Sequence, residues 1–394
     1  MKKCFALILI LAMLLPAIAI AEGYAGEITI GIYEPASGIN GPGGKQETLG
    51  MYYANFVAPT VELSDGVYKI KLVEVDNQSS NDKAPSAAQQ LVSEGASIVL
   101  GSYGSSVSIA AADIFDTAGV VAIGISCTNP QVTLGNPLYY RICYLDPFQG
   151  TVLANFAKDE FNASKAYTLA QLGNDYDVGL AHYFTKAFEE LGGEVKGEEF
   201  PLGTSDFTAY LTSAVNSGAE VIFAPTSTEF ASQIITQAAA NGITIPILAG
   251  DTWDSSVILK AAEGTDLSIS VSTFFDEGDT GTLAAEFVSG FKAWLNENPE
   301  KLANNGGNDI VAAVSALGYD GYMVALEALK LADSGDRDDI ADTIADVTFD
   351  GVTGFIAFDE NGDAKRDQAF IIKSDNETVT WEFVKVQTVS DISK

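Results

Sequence analysis

Residues 95–129, GASIVLGSYGSSVSIAAADIFDTAGVVAIGISCTN, decide the fold once they are laid over residues 218–252, GAEVIFAPTSTEFASQIITQAAANGITIPILAGDT. At a shift of 123 residues Gly95 falls on Gly218, Ala96 on Ala219, Ile98 on Val221, Val99 on Ile222 and Gly119 on Gly242. Each copy reads as a Gly-Ala turn, a short apolar run, a polar loop (102–106 and 226–228), a helical stretch ending at the second glycine, and another apolar run. That is a βαβ unit. Two such units more than a hundred residues apart predict two α/β lobes rather than a solenoid of adjacent repeats. In open parallel sheets ligands sit beyond the carboxyl ends of the strands, so equivalent loops of two facing lobes line a cleft. The same shift pairs Thr128 with Asp251, which predicts opposite walls of one site. The competing reading is that the likeness reflects only the Gly-Ala turn and strand composition common to α/β chains.

Outside the repeat the alternation of strand and helix continues. "EITIGIYEPASG" (27–38) reads as a strand that breaks into a loop at Pro35, Ser37 and Gly38, and "GINGPGG" (38–44) reads as an extension of that loop. A helix is predicted over 47–57, a strand over "YKIKLVEVDN" (68–77), and a helix over 84–94 capped near Asn81 or Asp82. The order resumes with strand 165–172, helix 179–191, strand 194–200 and helix 206–217. Two long helices, 282–296 and 309–332, precede "VTGFIAFDENGDAKRDQAFIIK" (352–373) and "TVTWEFVKV" (378–386), which read as antiparallel strands completing earlier sheets. Short connections near Asp146, Asp276 and Val352 predict a hinge of three crossovers.

The first 21 residues read as an export leader: Lys2 and Lys3, an apolar run from Phe5, and small residues at Ala19 and Ala21. An uncleaved anchor is the alternative, at the short end for spanning. Cys4 precedes the apolar run, so it does not sit where a lipoprotein signal needs its cysteine. Losing Lys2 and Lys3 leaves 19 basic residues against 53 acidic ones, a net charge of −34. Such a chain repels nucleic acid and anionic lipid. About 373 remaining residues exceed one ordinary core and suit two lobes. Cys127 and Cys143 are an even number in an exported chain, which leaves two readings open: a disulfide, or two buried thiols.

The motifs narrow the chemistry. "DENGDAKRDQAF" (359–370) begins like a calcium loop, but its twelfth position is Phe370 where a bidentate Glu is needed, so an Asn-Gly hairpin turn is expected. The single histidine, His182, excludes a His-rich metal cluster and is expected on a helix surface. No G-x-S-x-G elbow, Cys-His arrangement, P-loop or G-x-G-x-x-G follows a strand, so neither hydrolase nor nucleotide chemistry is expected and no cofactor is implied. What remains is a set of hydroxyls at helix starts, Ser105, Ser106 and Thr128, suited to a carboxylate at unpaired helix amides. Ser105 could instead be a plain N-cap. Opposite them Asp251 suits an ammonium group, or it caps the helix that follows. Carboxylate on one side and ammonium on the other describe an amino acid. Tyr103, Tyr176 and Trp253 are loop aromatics that either line its side-chain pocket or finish a core.

Through "EPASG" (34–38), "VLGSYGSSVS" (99–108), "SCTNPQVT" (126–133), "YYRICYLDPFQGTVLANFA" (139–157), "GDTWDSS" (250–256) and "GVTGFIAFDENGD" (351–363), the chain resembles the type I periplasmic binding proteins of ABC transporters, in the leucine/isoleucine/valine-binding group. The resemblance implies two Rossmann-like lobes joined by three crossovers: 22–146 plus 276–352, and 147–275 plus 353–394. It implies capture of an amino acid, branched-chain or another small zwitterion, in the interlobe cleft, and delivery to a membrane permease by an exported monomer. Carried over by position, Ser105 and Thr128 hold the α-carboxylate, the Ser126 backbone and the Thr128 hydroxyl hold the α-ammonium, Asp251 neutralises it, and Tyr176 matches a cleft tyrosine. Three departures remodel the side-chain pocket. Gly43 and Ser227 stand where the family has tyrosines, and Tyr103 replaces a smaller aliphatic residue, so a preference for leucine is not carried over. The alternative function is a sensor module for an amide, a urea-like solute or a carboxylic acid.

Overall fold

The structure is a computed structural model that describes residues 23–279 and 281–388; the expected leader lies outside them. The first sheet is built from β1 (Gly26–Glu34), β2 (Thr60–Leu63), β3 (Gly66–Asp76), β4 (Ile98–Leu100), β5 (Val121–Gly124) and β6 (Tyr139–Arg141), in the order β2-β3-β1-β4-β5-β6. All pairings are parallel except the β2–β3 hairpin. The second sheet contains β7 (Lys165–Gln171), β8 (Glu194–Phe200), β9 (Val221–Phe223), β10 (Ile247–Ala249) and β11 (Ile269–Thr273). After the small hairpin β12 (Thr348–Gly351) and β13 (Gly354–Ala357), the chain adds β14 (Gln368–Asp375) and β15 (Thr380–Thr388) to it, giving β15-β14-β11-β10-β9-β7-β8. The added pair runs antiparallel, as the alternation of the tail predicts.

The two sheets share one topology: β3-β1-β4-β5-β6 matches β8-β7-β9-β10-β11. The repeat is therefore structural, and its glycines show why. Gly95 and Gly218 adopt φ of +79° and +71°, and Gly119 and Gly242 both adopt +65°. These are the left-handed turns that stop a helix and feed the next strand, where a side chain would be strained. In both copies strand order reverses beside the first strand, between β1 and β4 and between β7 and β9. The carboxyl ends at these reversals face a common space.

Alternation along the buried strands sends side chains to two cores. On β7, Ala166 enters the core shared with Phe184, Val221 and Leu248, while Tyr167 enters the one formed by Phe200, Phe207, Ile234 and Trp253. The first sheet is likewise covered on one side by helices Ala84–Ser93 and Ser105–Thr117 and on the other by Gly41–Val57 and Ala313–Ala332. No helix among the described residues is long and apolar enough to cross a membrane.

Four expectations are corrected. "GINGPGG" is not loop to its end: a helix starts at Gly41, with Pro42 in its first turn where a missing N–H costs nothing. Two of its glycines serve close approach, because a Cβ at Gly44 would lie 2.3 Å from the Pro35 carbonyl and one at Gly43 would meet the Tyr103 ring. The helix expected over 179–191 begins at Asp175, capped by Asn174, whose side chain accepts from the amides of Tyr176 and Asp177. Helix Ala84–Ser93 has Lys83 at its cap position with no side-chain bond, rather than a cap by Asn81 or Asp82. Cys127 and Cys143 are free and buried, packed into different cores, so no disulfide joins them. The strands of the β12–β13 hairpin pair with each other, and the chain enters the second sheet at β14.

The turn at 359–363 is tight, closed by Gly362 N–H to Asp359 O (3.1 Å) and Asp359 N–H to Asp363 O (2.9 Å). Asp363 turns inward onto Arg141, which is fully buried. Arg141 gives Nε and Nη2 to Asp363 Oδ1 (2.8 and 2.6 Å), Nη1 to the carbonyls of Cys127 and Asn129 (2.8 and 2.6 Å), and Nη2 to Thr133 Oγ1 (3.1 Å). This cluster fastens the third crossing to the end of β6 and to the loop that carries Thr128.

Candidate ligand-binding site

A cleft of about 450 Å³ opens where the two strand reversals face each other. Its walls are the segments following β1, β3 and β4 on one side and β7, β8, β9 and β10 on the other, including Tyr103, Ser105, Tyr176, Ser227 and Thr252. The walls touch. Tyr103 donates its hydroxyl to the Thr252 carbonyl (3.2 Å), Asn129 donates its amide to the Asp175 carbonyl (2.7 Å), and the Asp175 N–H reaches Ser106 Oγ (2.8 Å).

On the first wall Ser105 is the opening residue of helix Ser105–Thr117, and Gly104 holds the cap position without a side-chain bond. The plain N-cap reading of Ser105 therefore fails; its hydroxyl instead accepts from the Asn129 N–H at 3.2 Å. Thr128 is fully buried beside Asp146 and lies outside the cleft lining. Ser126 donates its hydroxyl to the Glu47 carboxylate in a short bond. Asp251 is buried behind the second wall, outside the cleft lining, and its Oδ1 accepts from Gln149 Nε2 (2.8 Å) and from the hydroxyl of the lining residue Tyr176 (3.0 Å). It caps no helix: Ser255 caps Ser256–Ala262, accepting from the Val257 N–H. Ser227 stands at the cap position of Thr228–Ala240, but its hydroxyl bonds nothing and lines the cleft.

Of the three aromatics, Tyr103 and Tyr176 line the cleft and Trp253 does not. The Trp253 indole is fully buried in the second-lobe core and donates to the Thr226 carbonyl at 3.0 Å. Tyr103 and Gly43 prove to be one feature, since a Cβ at Gly43 would lie 2.3 Å from Cζ of Tyr103. The ring of Tyr103 fills the space that a side chain at position 43 would need.

Sequence reasoning missed the acids beneath the site. Glu34 closes β1 and Glu47 lies inside helix Gly41–Val57, both fully buried. The legible signal was an acid at the cleft end of a strand whose preceding residues, Ile30–Tyr33, are apolar. Burial, then the neighbouring Glu47 charge, pushes Glu34 well above the usual carboxylate range. Burial likewise pushes Glu47 and Asp251 up to about 7, against the lowering effect of their hydrogen bonds. Asp146, buried beneath Thr128 at the start of helix Asp146–Phe161, is pushed up to about 8 by burial.

The fold and this arrangement define a class: two doubly wound lobes meeting over a polar cleft that encloses a small molecule. The model of the periplasmic binding protein family matches residues 27–377, so the chain belongs to that family. It is similar to the leucine binding protein LivK of Thermotoga maritima, 31% identical with a TM-score of 0.82, covering 92% of this chain and 99% of that one. The Leu/Ile/Val-binding protein homolog 1 of Brucella suis is 27% identical over 346 residues, 86% of this chain and 88% of that protein. An amino acid binding protein of Pseudomonas aeruginosa is 30% identical over 243 residues, 60% of this chain and 64% of that one, just under two thirds of its length.

Proposed function

We propose that the protein captures an amino acid between its lobes outside the cytoplasm and delivers it to an ABC transporter permease. The observation that carries this reading is Asp251, buried and bonded by Gln149 and by Tyr176, a tyrosine that lines the cleft together with the helix start at Ser105. A carboxylate at that helix start meets unpaired amides and a favourable dipole, and an ammonium meets Asp251 in a buried setting where charge-assisted bonds are strong. The names of the relatives agree with a zwitterionic ligand. The leader at 1–21, a monomeric state, and lobes 22–146 plus 276–352 and 147–275 plus 353–394 complete the reading, with closure about three crossovers on ligand binding.

The deciding experiment is a thermal-shift series on unfolded and refolded protein, free of carried-over ligand. A group of L-amino acids should stabilise it, by about 2.7 kcal/mol at a hundred times the dissociation constant. The matching deaminated acids should not. Equal stabilisation by the deaminated acids would remove Asp251 from ammonium recognition.

A further inference from the structure

In the second sheet the strand order reverses between β7 and β9, and the residues that leave these two strands flank the cleft there. Gln171 and Ser227 follow the last paired residues, Thr168 and Phe223, by three and four positions, and both line the cleft. They are only 6% and 2% exposed, yet Gln171 Oε1 and Ser227 Oγ have no hydrogen-bond partner in the protein. Both residues are fixed by their backbones. The Gln171 N–H is held by Asp177 Oδ2 at 3.0 Å, and Ser227 occupies the cap position of helix Thr228–Ala240. A buried polar group left unpaired costs about 1–3 kcal/mol, which a ligand group that bonds it recovers. On the facing wall Asn40 Oδ1 is a third lining group without a partner.

The same lining offers little to an aliphatic side chain. Ile39 packs against the second-lobe core and Val107 sits in a core of the first lobe, while Leu172 and Leu202 are more than half exposed. The rings of Tyr103 and Tyr176 remain, broad faces against which a short methylene chain can lie. Asp177 Oδ1 is also unpartnered, but burial pushes this acid well above the usual carboxylate range, so this part of the wall presents neutral groups. Carbonyl acceptors on both walls and a hydroxyl that can donate are the complement of a carboxamide, which carries N–H donors and a carbonyl acceptor on one planar group.

We propose that the ligand is an amino acid with a carboxamide side chain, glutamine or asparagine, with Gln171 accepting from its amide N–H and Ser227 donating to its carbonyl. This rests on the amino-acid reading above and names its substrate class. Gln171 and Ser227 then set specificity. A site whose buried groups wait for a hydrogen bond rejects a ligand of equal size that lacks it, because those groups stay unpaired.

The test is isothermal titration of refolded protein at pH 7 with glutamine and asparagine against leucine, methionine and glutamate, and with propionamide as an amide without the zwitterion. Methionine matches the length of glutamine without its hydrogen bonds, and glutamate matches its shape without the N–H donors. Glutamine or asparagine should bind about ten-fold tighter, or more, than any of the three. Ser227→Ala and Gln171→Leu should each cost that amide about ten-fold while changing methionine by less than about three-fold. Equal losses for the amide and for methionine would overturn the proposal, since both residues would then only shape the cleft. Tighter binding of leucine, methionine or glutamate by the native protein would overturn it and leave the amino-acid reading intact, even if the variants fail to fold. Binding of propionamide but of no α-amino acid would overturn the amino-acid reading and the proposal with it. Silence from every compound would remove both.

Discussion

Two buried charge clusters lie within a few residues of one another along the loop 126–141, and they are built differently. Around Arg141 every donor is spent: five hydrogen bonds reach Asp363, Thr133 and two carbonyls. Around Glu34, Glu47 and Asp251 several oxygens are left over, and among the described residues no ion pair includes these acids. Burial of charge is common to both. What separates the two is whether the protein completes the hydrogen bonds itself. A completed cluster holds the loop carrying Thr128 in place; in the incomplete one burial favours the protonated acids.

Arg141→Met tests the brace and should have the largest effect. It strands the Asp363 carboxylate in a buried setting and frees two carbonyls, so a loss of about 3–5 kcal/mol in unfolding free energy is expected by denaturant titration. A loss below ~1 kcal/mol would mean the cluster is no brace. The same change should weaken ligand binding only as far as the Thr128 loop shifts.

The acid floor should show itself in the pH dependence of stability. An acid whose folded pKa is raised contributes fully below its unfolded value, and that contribution falls away as pH rises towards the folded value. Glu47 titrates ordinarily near 4.5 and is pushed up to about 7. Relative to Glu47→Gln, the ligand-free native protein should therefore lose stability as pH rises from 4.5 towards about 7 and then level off. Denaturant titrations of both proteins across that range check it. Parallel curves would show that Glu47 keeps an ordinary pKa and that the floor is not strained by burial.

Asp251→Asn keeps the shape of the second wall and the bonds from Tyr176 and Gln149 while removing the charge. Affinity for an amino acid should fall by about 10–150-fold, a charge-assisted bond being worth roughly 1.5–3 kcal/mol. Titration calorimetry reads it, with the deaminated acid as the control that should barely change.

How much of this the chain disclosed before folding depends on whether the signal was local. The paired glycines 95/218 and 119/242 were legible because a left-handed turn demands glycine within a few residues of a strand. Position after a strand suggested Ser105, Thr128, Tyr176 and Asp251; Ser105 and Tyr176 line the cleft, whereas Thr128 and Asp251 are buried outside its lining. Helix starts at Gly41 and Asp175 were misread because a glycine-rich or polar first turn looks like loop, while the reason for Gly43 is the ring of Tyr103, sixty residues on. Glu34, Glu47 and Arg141 escaped for the same reason: an acid or an arginine carries no sign of burial, and only the tertiary fold shows which is answered and which is not. Trp253 shows the converse, a loop aromatic whose neighbours in space, not in sequence, send it into the core.

The smallest effect concerns the single direct bond from Tyr103 to the opposite wall. Tyr103→Phe removes the hydroxyl that donates to the Thr252 carbonyl while leaving the ring seated over Gly43. An ordinary hydrogen bond contributes about 0.5–1.5 kcal/mol net, so affinity should fall by roughly 2–12-fold if that bond forms only when the lobes meet. Because the bond joins the walls rather than stabilising either lobe, the loss should fall on the dissociation rate, while the unfolding midpoint without ligand stays put. Stopped-flow release of a bound amino acid, alongside thermal unfolding of the refolded protein, separates the two. Faster release with unchanged stability places Tyr103 in the latch between the lobes. Lower stability with unchanged release would make it a packing residue of the first wall, filling the gap at Gly43 and nothing more.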